Sequence, residues 1–136
     1  MGRLLSLYGQ APALIATSGA RRCRETVELA AKAGKWKAAV RVDDALYGGS
    51  PAAYLAVARE ALDEHGVLLV CGHEPTLSEL ATQLAGGGTV RVPPGTVIAL
   101  DFAVDRWREV ALGGGELAFL LPPRLFTEGK FEFVGD

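Results

Sequence analysis

The chain has 136 residues, 49% apolar and 22% charged, with 14 Lys and Arg against 16 Asp and Glu and a formal charge of -2. Length and balance fit one soluble globular domain spanning residues 1–136, and the acidic excess offers no basic surface, which argues against a nucleic-acid partner. No apolar run approaches the roughly 20 residues of a membrane helix and no basic-then-apolar leader opens the chain, so no membrane partner and a cytoplasmic location are expected. Cys23 and Cys71 lack metal-ligand or paired-cysteine spacing, as expected of ordinary thiols in a reducing compartment.

The first patterned stretch is "APALIATS" (11–18), an apolar run between Pro and a polar turn, which predicts a buried strand. "ARRCRETVELAAKAG" follows, with Ala20, Cys23, Val27, Ala30 and Ala31 at helical spacing and Gly34 placed as a C-cap. "AAVRVDDAL" (38–46) alternates like a second strand, and "SPAAYLAVAREALDEHG" predicts a helix with Ser50 as N-cap, Pro51 in the first position and Gly66 as the stop. "VLLVCGH" reads as a strand covered on both faces, and "EPTLSELATQLAGGG" as a helix opened by Pro75 and closed by glycines. From "GTVIALDFAV" through "WREVALGGG" to "ELAFLLP" the pattern changes to closely spaced strands with Gly turns, predicting an antiparallel tail.

This order predicts an α/β three-layer sandwich: a mostly parallel central sheet, right-handed crossovers, helices on both faces and antiparallel C-terminal strands. In such a sheet the C-terminal strand ends lie along one edge, where ligands bind, so Ser18 and His73 are expected to meet there. Arg22 stands four residues after Ser18, in the first turn of the next helix, where its planar fork suits a phosphate. The helix starts at Ala20 and Pro75 add unpaired N–H groups to the same edge. Together they read as a small oxyanion pocket. Taken singly, Arg21, Arg22 and Arg24 read as a solvated helix face. His65 reads as a polar residue at a helix end, and Glu25 and Glu74 as first-turn acids with an ordinary dipole explanation. Tyr47 and the glycines of "LYGGSPAAY" read as an ordinary loop that could line the pocket entrance.

Several chemistries are excluded by pattern. Six residues after Cys71 stands Leu77, so the cysteine-to-arginine loop of thiol phosphatases is absent. Neither triple-glycine stretch precedes a Lys-Ser/Thr pair, and no glycine fingerprint follows a strand. Ser6, Ser18, Ser50 and Ser78 lack a nucleophile-elbow context. Two histidines among scattered carboxylates make no metal site.

"LIATSGARRCRET" resembles the histidine phosphatase superfamily segment in which a strand ends in Thr-Ser and an arginine follows four residues after the serine. "LLVCGHEPTLSELATQL" resembles that superfamily's second histidine motif, and together the two are most similar to SixA-type phosphohistidine phosphatases. "PPGTVIALDF" and "FLLPPRL" are similar to the same subgroup, so the resemblance covers nearly the whole chain. It implies a phosphoglycerate mutase-like fold and phosphoryl transfer without metal or other cofactor, through a phosphohistidine intermediate held by two arginines and a second histidine. Arg22 would be the later phosphate-gripping arginine, His73 the second histidine, and Ser18 a further phosphate-binding residue. The implied substrate is a phosphorylated protein or a small phosphate ester.

One part of the family pattern is not matched. The family's first strand ends in Arg-His-Gly, which supplies the nucleophile, and no Arg-His-Gly occurs in the sequence. "MGRLLSLYGQ" begins where the family is already inside its first helix, so the first strand is expected to be missing. The resulting gap is expected to close by direct pairing of "VLLVCG" with "TVIALDF", or by a strand from another chain, as in a homodimer that shares strands. Two functions follow as expectations: a phosphohistidine phosphatase, or a noncatalytic phosphate- or phosphoprotein-binding module that keeps Arg22 and His73.

Overall fold

A computed structural model describes residues 2–90 and 92–122. The chain opens with helix α1 (Gly2–Leu7) and strand β1 (Leu14–Thr17), followed by α2 (Arg21–Gly34) and β2 (Ala39–Val42). Helix α3 (Pro51–Arg59), strand β3 (Leu68–Cys71) and helix α4 (Thr76–Leu84) complete the alternating part. β4 (Val97–Phe102) and β5 (Gly115–Leu121) then form an antiparallel pair with an irregularity between Ala99 and Leu100.

β1 is the middle of a parallel sheet in the order β2-β1-β3, with Thr17 opposite Val42 on one side and Cys71 on the other. Side chains alternate across this sheet. Ala16, Leu68 and Val70 face α3 and α4, where they pack with Leu46, Tyr54, Val57, Leu77 and Leu80. The opposite face carries α2 through the buried Cys23 and Val27, and α1 lies on α2 so closely that a Cβ on Gly2 would sit 1.9 Å from the Ala30 carbonyl oxygen. Helices on both faces of a mostly parallel sheet, with an antiparallel C-terminal pair, are the predicted α/β architecture.

Element lengths differ from the sequence expectation for local reasons. α2 runs through Gly34 and is capped by Lys35 at a left-handed φ of 55°. Gly34 serves close packing instead, since a Cβ there would meet the Trp36 indole at 2.3 Å. The strand expected over 38–46 stops at Val42, because the Asp43 carboxylate accepts the Ala45 N–H at 2.9 Å and turns the chain into a short 3-10 helix, Asp44–Leu46. α3 ends well before Gly66, at Arg59, as its last turn tightens to bonds from Glu60 N–H to Val57 and from Ala61 N–H to Ala58. The middle segment of the C-terminal part is a 3-10 turn (Trp107–Glu109) instead of a strand.

Direct closure of the sheet is not what forms. Among the described residues β3 pairs only with β1, and β4 only with β5. Leu100 and Phe102 of β4 instead pack with Trp107 on Leu55, Leu84 and Val110, and Leu80 touches both core clusters. Both sheets therefore rest on the α3/α4 layer, with a cavity of about 420 Å³ lined by His65, Gly66, Leu100 and Phe102 between the start of β3 and the end of β4. No helix of the described residues is long and apolar enough to cross a membrane.

Candidate oxyanion site

Because Thr17 and Cys71 are in register, the chain leaves β1 and β3 side by side. The Ser18 N–H donates to the Cys71 carbonyl at 3.0 Å, fixing the two strand ends together. His73 Nε2 lies 2.8 Å from Ser18 Oγ, which also accepts the Ala20 N–H at 3.2 Å. Ser18 is fully buried. A hydroxyl whose oxygen already takes one N–H directs its own proton to the remaining neighbour, so neutral His73 is assigned with its proton on Nδ1.

Three further groups reach His73. Cys23 Sγ is 3.9 Å from Nε2, and its thiol also donates to the Gly72 carbonyl at 3.5 Å. The Tyr54 hydroxyl accepts the His73 N–H at 3.0 Å and donates to the Leu46 carbonyl at 2.8 Å. The exposed Tyr47 ring stands edge-on to the imidazole, with centroids 5.4 Å apart. Residue 72 must be glycine here: a Cβ would fall 2.0 Å from the Tyr54 hydroxyl.

Burial raises the Tyr54 pKa above the ordinary tyrosine value, the His73 N–H acting in the opposite direction, so the phenol stays protonated and able to donate at neutral pH. Burial, reinforced by neighbouring Cys23, pushes the Cys71 thiol up to about 12. Cys71 is thus an inert thiol beneath the site.

Arg22 stands in the first turn of α2, exposed, and its side chain has no hydrogen bond or ion pair among the described residues. The helix start at Ala20 has no side-chain cap, which leaves first-turn N–H groups open toward the same edge. The C-terminal edge of the sheet thus carries the His73 imidazole and the open start of α2, with Arg22 in that first turn. Ser18 sits beneath His73, as a support for the ring and the helix start. Among the described residues no group of three or more His, Cys, Asp or Glu side chains is placed to hold a metal ion.

The other sequence candidates lie elsewhere or are already engaged. Arg21 pairs with Glu25 at 2.8 Å on the solvent face of α2. The Glu74 carboxylate accepts the Ser78 N–H at 2.8 Å and also the Ser78 hydroxyl, as a cap for α4. His65 precedes β3, at the opposite end from His73, and its carbonyl accepts the Trp107 indole N–H at 2.6 Å.

The sequence reading missed Tyr54 and Cys23 as neighbours of His73. The signal available was a phenol at the centre of the otherwise apolar "AAYLAVA" and a cysteine on the buried face of α2.

This geometry can be set beside known proteins. No protein-family model matches the chain. An uncharacterized protein of Mycobacterium leprae (strain TN) is 30% identical over 116 residues, covering 79% of this chain and 69% of that one. The structure of a candidate phosphohistidine phosphatase SixA from Nakamurella multipartitia superposes with a TM-score of 0.75 at 25% identity, over 88% of this chain and 75% of that one. The chain has the SixA-type fold of the histidine phosphatase superfamily. A structure of the protein histidine phosphatase SixA complexed with tungstate is similar in fold, at a TM-score of 0.67 and 18% identity over 92% of this chain and 80% of that one. Within the SixA-type fold, the paired ends of β1 and β3 hold the two motifs, Thr17-Ser18 and Gly72-His73, that carried the resemblance.

Proposed function

We propose that this protein is a phosphohistidine phosphatase of the SixA type, acting on phosphorylated proteins in the cytoplasm, with Arg22 and His73 gripping the transferred phosphoryl group. The observation that carries the reading is the meeting of His73 with Ser18 at 2.8 Å, on the edge where α2 begins with Arg22 in its first turn. Charge on the equatorial oxygens of a transferring phosphoryl group is stabilised by donors of this kind: a guanidinium fork, an imidazole N–H and helix N–H groups. Ser18 supports His73 from below, and its hydroxyl can accept from the ring once Nε2 is protonated.

Attack on phosphorus requires a nucleophile in line with the leaving group. His65, the other of the chain's two histidines, lies at the opposite end of β3 and cannot be that group. This supports a second reading, in which the clamp binds phosphate or phosphoprotein without hydrolysing it.

Hydrolysis of para-nitrophenyl phosphate in EDTA, run beside a tungstate titration, separates the two. Hydrolysis lost in an Arg22→Ala, His73→Ala double variant supports the phosphatase. Tungstate binding lost in that variant, with no hydrolysis by the parent, supports the binding module. A double variant that binds tungstate as the parent does would remove both readings.

A further inference from the structure

We propose that Tyr54 is a positioning residue for the oxyanion site: its hydroxyl sets the place of His73 and, through Leu46, brings the Tyr47 ring against the imidazole. This rests on the reading of His73 as part of an oxyanion clamp. Tyr54 stands in α3, outside both sequence motifs, and is 1% exposed. One phenol oxygen joins two segments that are also tied by the Thr76 hydroxyl donating to the Gly49 carbonyl at 2.9 Å. It donates to the Leu46 carbonyl at 2.8 Å and accepts the His73 N–H at 3.0 Å, positions 8 residues before and 19 residues after it. A group that donates once and accepts once fixes both partners at the same point.

The consequence extends one residue beyond each partner. Leu46 is fully buried and precedes Tyr47, which swings out to 69% exposure and stands edge-on to the His73 ring at 5.4 Å. On the other side, Gly72 gives up its Cβ so that the phenol can reach the backbone. Ser18 and Cys23 approach Nε2, Tyr47 approaches the ring from the solvent side, and the Tyr54 hydroxyl holds the His73 main chain. The imidazole is thereby left one orientation in which to receive an anion, and pre-setting that orientation strengthens binding. Because burial keeps the phenol protonated, both hydrogen bonds persist at neutral pH.

A Tyr54→Phe variant keeps the ring and removes the hydroxyl. Its tungstate affinity is expected to fall by about threefold to tenfold, the scale of one net hydrogen bond. The His73 ring nitrogen signals in long-range proton-nitrogen correlation spectra should move with it. Trp107→Phe, which removes one indole hydrogen bond at the far end of β3, is the control and should leave both readouts at parent values.

If Tyr54 were only a core residue, Tyr54→Phe would lower stability while tungstate affinity and His73 signals stayed as in the parent, and the proposal would be overturned. Should Tyr54→Phe fail to fold, Tyr47→Leu tests the outer half of the same device. That surface substitution is expected to shift the His73 ring signals, and unshifted signals would overturn the proposal. Equal tungstate binding by the parent and by His73→Ala would refute the oxyanion reading instead, and the ring signals of Tyr54→Phe would still decide whether Tyr54 positions His73.

Discussion

The two ends of β3 carry the two histidines of the chain, and they are used in opposite ways. At the C-terminal end, His73 meets Ser18, Cys23, Tyr54 and Tyr47 with its ring or its N–H, and the chain turns directly into α4. At the N-terminal end, His65 contributes its carbonyl to the Trp107 indole, and Asp63 accepts the Trp107 N–H at 3.1 Å. The difference follows from the parallel sheet. Helices begin at the C-terminal edge, where α2 starts without a side-chain cap, whereas the opposite edge receives helix ends and loops that need only be tied down. A Gly-His pair and a His-Gly pair six residues apart along the chain thus belong to a site and to a buttress.

The sharpest way to break this comparison is through the core shared by the site. Leu46 is fully buried beside Tyr54, and Leu46→Ala should cost about 2–5 kcal/mol in denaturant unfolding, the range for a truncated core leucine. A cost near zero would mean the 46–47 segment is not anchored as described. Gly72→Ala comes next: the added methyl must displace a buried phenol or the backbone, for about 1–3 kcal/mol by the same measurement. Arg22→Ala should leave stability unchanged, since its side chain has no partner among the described residues, yet weaken tungstate binding by about tenfold to a hundredfold, the loss of a charge-assisted hydrogen bond. His65→Ala should leave tungstate binding untouched, because only its main chain contacts Trp107. Equal losses in Arg22→Ala and His65→Ala would erase the distinction between the two ends.

A pH-dependent effect, absent near neutral pH, concerns Cys71. Its folded pKa is raised from 9.0 to about 12, so below pH 9 the thiol is neutral in both states and folding keeps its full benefit. Above that, the unfolded chain loses the proton while the folded chain retains it, and stability should fall as pH rises from 9 toward 12. Unfolding curves at stepped alkaline pH should show a slope in the parent that is shallower in Cys71→Val. Identical slopes would mean the thiol is not buried as described.

Much of the fold was legible because its signals are local. Ser50 followed by Pro51 opens α3 as read, with the serine hydroxyl accepting the Ala53 N–H at 3.3 Å, and the apolar "LLVC" forms β3. The boundaries that failed depended on contacts from elsewhere. Gly34 was read as a helix stop, but its missing side chain makes room for Trp36, and "WREVALGGG" turned into a 3-10 corner because Trp107 is drawn to Asp63 and His65. At the site, Arg22, Ser18 and His73 could be placed on one edge from element order alone. Tyr54 and Cys23 could not, since each reaches His73 through the tertiary fold across 19 and 50 residues.

The sequence by itself determined the order of strands and helices and, through it, that Ser18 and His73 end neighbouring parallel strands, because periodicity and helix caps are written in adjacent residues. Only the tertiary structure decided that β3 and β4 stay apart and that a phenol from α3 holds the histidine. The preference of β4 for the α3/α4 layer and the meeting of Tyr54 with Leu46 and His73 both depend on packing between distant segments. Each such contact is set by shape and hydrogen-bond satisfaction across the core, which no local pattern records.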